Sequence, residues 1–322
     1  MSDVEALPTA RTFSDVVRAE RLTEISATYS SLRLAGFLGG WVAMFLIARI
    51  LDDPVSWVAA WVVQAFVFEG CNIGTHESAH NNLYRRKPLD YLAGMAWAVP
   101  VLYSYAAYRT SHLEHHKNTH DPERDSEPVY EKTTLVDYLG YMALSGIAYT
   151  FILLLEGAEA ALGKGKAWMR TGRRRWLAAL STFVVLAELG LVAYGLDEAP
   201  MLTLELWGAP FLLYATFLAP MVSHPEHTDC AFGPSSPLLT TRTTLSNRVV
   251  RFFVWNINLH TAHHLLPSVP GQKLTKLQPH VEPYCAHTVR SYSAWHLGYL
   301  RGLVGRGPAL APCRPESAHE AS

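Results

Sequence analysis

The chain has 322 residues, 49% of them apolar and 17% charged, and a formal net charge of −1, so it offers no basic face for a nucleic acid. Its apolar residues bunch into long runs, which favours a membrane domain over soluble ones. Four cysteines (Cys71, Cys230, Cys285 and Cys313) stand far apart with no CxxC pair, so neither a zinc ribbon nor a disulfide framework is indicated.

Residues 1–30 are polar and charged and lack the apolar core of a secretory signal, so they are expected to stay in the cytoplasm. Segments 34–51 and 55–74 follow, each near the ~20 helical residues that a bilayer requires. Only Asp52-Asp53-Pro54 joins them, which reads as a tight helical hairpin. Segments 176–194 and 202–222 form a second such pair, joined by GLDEAP. Two further apolar stretches, 89–108 and 135–155, are ambiguous. The loop at 164–175 is rich in Lys and Arg and belongs in the cytoplasm by the positive-inside bias. The crossing count then closes if 89–108 and 135–155 each enter and leave on one side, as interfacial or re-entrant helices. The aromatic content of the first (Tyr91, Trp97, Tyr103, Tyr105, Tyr108) suits that position.

The expected fold is therefore an all-α integral membrane protein. It has four transmembrane helices, interfacial helices and a cytoplasmic histidine-rich cap that includes one or two helices in 273–300. Residues 31–302 form the membrane domain, and the Pro/Gly/Ala-rich tail at 303–322 is expected to be disordered.

Histidines cluster in three places. The first is His76 and His80; the second is His112, His115 and His116, with His120 four residues on. The third combines His224 and His227 with His260, His263 and His264. On a helix, i, i+3 and i+4 share a face, so each cluster can aim two or three imidazoles at one point. A chance HxxHH is expected in only about 3% of chains with this histidine frequency, and here there are two. Eight or nine neutral imidazoles exceed the four ligands of a zinc ion. They suit two ions of borderline nitrogen preference, and iron with open positions fits oxygen chemistry. Cys71 and Cys230 lack metal spacing and read as packed thiols.

Metal-bound imidazole usually gives its other N–H to a carboxylate or carbonyl. Candidates are Glu77, Glu114, Asp121, Glu123, Asp125, Glu127, Glu226 and Asp229, although each reads equally well as part of a solvated acidic loop. Glu69, Asn72, His76 and His80 follow one another along one helical face, and an acid inside a span is a functional candidate by default. A metal transporter would place its ligands near the bilayer midplane. Here every histidine cluster lies at a span end, so the enzyme reading is preferred.

The stretches THESAH (75–80), RTSHLEHHKNTHDPERD (109–125), EHTD (226–229) and NINLHTAHHLLPSVP (256–270) resemble the membrane fatty acid desaturase superfamily, which also includes hydroxylases and carotenoid ketolases. The resemblance covers roughly 70–274 and implies four spanning helices, a cytoplasmic cap and a centre of two iron ions (Fe2+/Fe3+). Carried over by position, the implied ligands are His76, His80, His112, His115, His116, His260, His263 and His264. The HT of EHTD makes His227 the ninth in preference to His224, while His224 becomes a supporting residue and His120 a supporting or surface one. No catalytic side chain beyond the metal ligands is implied. The implied reaction is O2-dependent desaturation of an acyl chain or similar lipid, with hydroxylation or ketolation of a lipid, carotenoid or other metabolite second. No His-Pro-Gly-Gly haem signature occurs, so a separate electron donor (ferredoxin, flavoprotein or cytochrome b5-like) is expected.

Overall fold

The computed structural model describes residues 7–127, 132–164, 172–232 and 236–305. Among them, five helices are long and apolar enough to cross a membrane: Ala27–Leu51 (α2), Pro54–Ala79 (α3), Leu135–Ala161 (α6), Gly172–Glu198 (α7) and the run Pro200–His227 (α8). At 25 to 28 residues each, they extend roughly 38–42 Å against a hydrocarbon core of about 30 Å. All four expected spans are present, and α6 is the addition. The chain is an all-α membrane protein.

The α2–α3 hairpin is written in its three linking residues. Asp52 adopts the left-handed conformation (φ 47°) that ends α2. The Asp53 carboxylate then accepts the N–H groups of Val55 (2.9 Å) and Ser56 (3.1 Å). Pro54 opens α3 with its φ already set and no N–H to lose.

Contacts divide the chain into two units. The span unit comprises Ile25–Leu113 and Leu139–Pro220. In it, segment 89–108 does not form one helix. Helix α4 (Lys87–Ala98) has 12 residues, about 18 Å, too short to cross. Pro100 and a left-handed Leu102 end it, and α5 (Tyr105–Asn118) starts three residues on. The segment comes back on itself, because the Tyr105 hydroxyl meets the Ser78 hydroxyl (2.8 Å) and Ser78 also donates to the Asp90 carbonyl in the first turn of α4. Gly74 and Gly94 make this possible: a Cβ at Gly74 would strike the Trp97 ring, and one at Gly94 the Tyr105 ring.

Helix α6 was expected to be interfacial or re-entrant, and it is one unbroken helix of 27 residues. Its C-terminal carbonyl at Ala161 accepts from the Arg175 side chain (2.9 Å) at the start of α7. Two residues later the Leu177 carbonyl accepts from the Tyr91 hydroxyl (3.3 Å) of α4. Near its middle, Tyr149 packs edge-on against Tyr103 (5.5 Å) and Tyr108 (6.5 Å). The basic loop at 164–175 lies largely outside the described residues.

The terminal unit comprises Met1–Glu24, Glu114–Tyr138 and Met221–Ser322. It contains the short helices Ser14–Ala19 (α1), Pro237–Thr240 (α9), Arg248–Phe253 (α10) and His260–Leu265 (α11), then Gly271–Val281 (α12) and Tyr292–Gly305 (α13). Two-residue strands Thr243–Thr244 and Thr288–Val289 pair in parallel. Helix α12 buries Leu274, Leu277 and Val281, and α13 buries Trp295, His296 and Tyr299. These are the two helices expected in 273–300. Helix α13 continues to Gly305; the rest of the expected tail, 306–322, lies outside the described residues.

Candidate metal centre

In the span unit, His76 stands in the last turn of α3 and His80 is its C-cap. His112 stands two turns into α5. Ring centroids lie 4.9 Å apart for His76–His80, 4.5 Å for His76–His112 and 5.1 Å for His80–His112. The Nε2 atoms of His80 and His112 are 3.0 Å apart, and one nitrogen from each of the three rings lies within 4.8 Å of the others. Tyr108, one turn before His112, stacks on its ring (5.4 Å, 6°) and holds its plane. The chain leaves His80 through a turn in which the Asp90 carboxylate accepts the N–H groups of Leu83 (3.0 Å) and Tyr84 (3.1 Å). Glu77 Oε1 is 3.7 Å from His76 Nδ1, near enough for its charge to act but not a hydrogen bond.

In the terminal unit, the same convergence appears with its proton positions legible. His115 Nδ1 lies 2.8 Å from Asp125 Oδ1. A carboxylate only accepts, so Nδ1 carries the proton. His227 Nδ1 likewise donates to the Thr240 carbonyl (3.1 Å). His264 Nδ1 faces Thr119 Oγ1 at 3.4 Å, and that hydroxyl spends its own proton on the His115 carbonyl (2.8 Å). In neutral rings all three Nε2 atoms are therefore left with lone pairs, and the three rings offer ligand atoms within 4.8 Å of one another. His115 and His227 Nε2 are 3.2 Å apart, and His260 and His227 Nε2 are 2.9 Å apart. His264 Nε2 is buried with no hydrogen-bond partner among the described residues. His116 and His263 face each other through Nε2 at 3.2 Å, and the His116 ring stacks on that of His264 (4.0 Å).

The inward lone pairs of His115 and His227, 3.2 Å apart, repel. Protonating one ring would relieve the contact but bury a charge among neutral imidazoles. A divalent cation relieves it without adding a proton to either ring, so the donor set fits a metal with nitrogen preference. Burial and the neighbouring His260 and His227 hold His264 well below the ordinary imidazole range. At His115 burial also pulls down, but the Asp125 hydrogen bond and the charges of Glu127 and Asp125 outweigh it, and the net shift is upward.

The structure separates the remaining candidates. Asp125 is built in: besides His115 it accepts the backbone N–H of His120 (2.7 Å) and of Glu127 (2.9 Å). A left-handed His120 (φ 62°) presents that N–H, so His120 contributes its backbone there. Its ring is buried against Phe232 (4.8 Å) and is not on the surface. Asp121 instead caps its own turn through the N–H groups of Glu123 (3.0 Å) and Arg124 (3.1 Å). His224 points elsewhere, with Nδ1 at Thr228 Oγ1 (2.9 Å) and its ring on Trp295 (5.2 Å) and Tyr299 (5.4 Å). Asp229 lies in the turn after α8 with φ 59°. Glu69 and Asn72 contact each other (3.4 Å).

Three supports escaped the sequence reading. The Thr240 carbonyl and the Thr119 hydroxyl carry no motif. Arg242 is 7% exposed and donates to the carbonyls of Pro225 (2.6 Å) and Thr228 (2.6 Å), which closes the end of α8 around His227. Glu226, one of the acids expected from the sequence, has its carboxylate 3.4 Å from His260 Nδ1.

An acid response follows. Burial above all holds His120, His264 and His296 below the ordinary value of 6.5, and burial with Arg242 holds His287 at about 4. The unfolded chain takes up protons near pH 6.5 that the folded one refuses, so folded stability falls as pH drops below that value. His115 acts in the opposite sense. Metal-stripped protein is expected to melt at a lower temperature at about pH 5.5 than at about pH 7.5; an unchanged melting temperature would count against these protonation states.

The fold and the histidine groups define a class: an all-α, multi-pass membrane protein whose buried histidine clusters are shaped for metal. The chain belongs to the fatty acid desaturase family, whose model matches residues 54–296. It is 23% identical over 256 residues to an sn-1 acyl-lipid omega-3 desaturase (ferredoxin) of Nostoc sp., covering 74% of this chain and 71% of that one. It is 24% identical to the Synechocystis protein of the same description, covering 77% and 72%. An endoplasmic-reticulum acyl-lipid omega-3 desaturase (cytochrome b5) of Arabidopsis thaliana is also 24% identical, over 74% and 68%. Family and relatives together make this chain a membrane desaturase, an oxidoreductase.

Proposed function

We propose that the chain introduces a double bond into an acyl chain of a lipid, using O2 and two irons held by nine histidines. His76, His80 and His112 would hold one iron. His115, His227, His260 and His264 would hold the other, with His116 and His263 completing the set. The observation that carries this reading is the set of rings at His115, His227 and His264, each with Nδ1 tied to an oxygen and Nε2 turned inward.

When bound, the irons supply the activation of O2 needed to remove hydrogen from an unactivated C–H bond. The chain's own residues orient the rings and fix which nitrogen faces inward. Asp125 keeps the Nδ1 proton of His115 in place, and the Thr240 carbonyl does so for His227. Tyr108 fixes the plane of His112. An apolar cavity of about 170 Å³ in the span unit, lined by Leu102, Phe151, Leu154, Val185, Trp207 and Phe211 among others, suits a hydrocarbon segment and keeps water from it. Electrons would come from a separate donor, a ferredoxin, a flavoprotein or a cytochrome b5; two of the relatives carry ferredoxin in their names and a third cytochrome b5.

The test is expression with a reducing partner, followed by lipid profiling and metal analysis. The expected result is a new unsaturated acyl product and about two irons per chain. Purified protein with one zinc and no iron would sink the di-iron assignment, and an unchanged lipid profile with an active donor would sink the desaturation.

The histidine clusters are further proposed to face the cytoplasm, on the strength of the basic loop at 164–175. That requires α6 not to cross, in keeping with Tyr149 at its middle packing on Tyr108, the residue stacked on His112. Single cysteines introduced at positions 136 and 162, near the two ends of α6, are expected to react with an impermeant thiol reagent from the same side. Labelling from opposite sides would overturn the topology.

A further inference from the structure

The part of the terminal unit that carries the third histidine group is basic. Residues 230–305 hold seven Lys and Arg against one acid, Glu282, in a chain with 27 and 28 overall. Five of the seven collect around one loop. Residues 245–257 leave and return at a single point, where the Thr244 N–H donates to the Asn258 carbonyl (2.8 Å). The Asn258 side-chain amide donates in turn to the carbonyls of Thr244 (2.6 Å) and Leu245 (3.2 Å). Compact loops closed in this way are frequently functional.

Helix α10 lies in this loop and exposes Val249 (67%) and Phe252 (54%), with Arg248 exposed and Arg251 half-buried beside them. Arg290, also exposed, joins the loop where its carbonyl accepts the Ser246 N–H (3.1 Å). A second tie runs through Asn256. Its Oδ1 accepts from Arg251 Nε (3.2 Å), and its Nδ2 donates to the Gly271 carbonyl (3.1 Å) at the first residue of α12. Lys273 and Lys276 follow in the first two turns of that helix. Two exposed apolar side chains therefore stand among cations from three adjoining segments. The metal ligands are close by: Asn256 stands four residues before His260, a backbone reach of about 14 Å at most.

We propose that the 245–257 loop, with Arg290 and the first two turns of α12, is the docking surface for an acidic one-electron carrier protein. O2 takes two hydrogens from the acyl chain and two electrons and two protons from outside, and leaves as two waters. A one-electron carrier must therefore dock and depart twice per double bond; at each visit it is oxidised by one electron and the iron centre is reduced by one. Charge steering onto a small apolar centre serves such brief encounters, whose interfaces are small. A helix lying in a bilayer surface would draw its cations from its own sequence, whereas here they come from three segments. The inference rests on the O2-dependent desaturase reading above.

The test reads binding, which needs no turnover. Full-length protein in phosphatidylcholine nanodiscs is titrated by interferometry with a plant-type [2Fe–2S] ferredoxin and with the soluble haem domain of a cytochrome b5. At least one carrier is expected to bind, with affinity falling at least about tenfold between about 50 and about 200 mM salt. The double variant Arg248→Glu with Lys276→Glu is expected to weaken binding at least about tenfold. Should it not fold, each single variant is expected to weaken binding at least about threefold. Arg124→Glu, in the acidic run of the same unit, is the control and changes affinity less than about twofold. Binding by neither carrier, indifference to salt, or equal losses in the control overturns the proposal. Binding in detergent that vanishes in nanodiscs would give the surface to the lipid and overturn it too. Lipid profiles, scored separately, tell the two readings apart: docking without an unsaturated product sinks the desaturase reading, and product without docking here sinks this one.

Discussion

His227→Ala is expected to lower product formation by about 100-fold or more and to leave the protein with roughly half its iron. The reason is geometric. His227 Nε2 faces His115 at 3.2 Å and His260 at 2.9 Å, while its Nδ1 proton is tied to the Thr240 carbonyl. Removing that ring takes away the donor shared by both contacts. His224→Ala, three residues away, is the matched control, because its Nδ1 faces Thr228 and its ring packs on Trp295 and Tyr299. That variant is expected to bind iron normally. Iron analysis with product assay of the two variants decides the matter; normal iron in His227→Ala with loss in His224→Ala would reverse the assignment.

The second large effect is expected at a residue that would bind no metal. Asp125→Asn keeps the size of the side chain but replaces one accepting oxygen by a donor. In the folded chain Asp125 accepts three N–H groups, from His115, His120 and Glu127. An amide cannot satisfy all three, and the tautomer of His115 is no longer enforced. A loss of about 10- to 100-fold in iron affinity or activity is the usual consequence of cutting such a support. Asp121→Asn, in the same acidic run, is expected to change either quantity less than about twofold, since Asp121 only caps an exposed turn. Metal titration of both variants separates the roles; equal losses would mean that the run acts merely as a pool of negative charge.

These two comparisons mark where local pattern stops being informative. His224 and His227 differ by three positions, and Asp121 and Asp125 by four, so within each pair the sequence offers similar residues in similar surroundings. What distinguishes the two aspartates is a left-handed His120 that turns its N–H onto Asp125. What distinguishes the two histidines is the reach of each imidazole from the end of α8, where Arg242 closes the last carbonyls from fourteen and more residues away. Segment 89–108 was expected not to cross from the crossing count and its aromatic residues, and the break at Pro100 and the left-handed Leu102 leaves α4 too short to do so. Helix α6 was not fully legible: length and apolar composition suit a crossing, and its long-range contacts at Tyr149 and Ala161 are invisible in the local sequence.

The sequence by itself determined the class of protein and the grouping of its histidines. Spans follow from runs of apolar residues, the hairpin from Asp-Asp-Pro, and the histidine groups from spacings that a helix converts into one face. All of these depend on residues within a few positions of one another. The tertiary structure decided which nitrogen of His115, His227 and His264 turns inward, and which acid holds His115. Those facts depend on atoms brought together from distant parts of the chain, and hydrogen-bond direction is set by the partner across the fold and not by the neighbour along it.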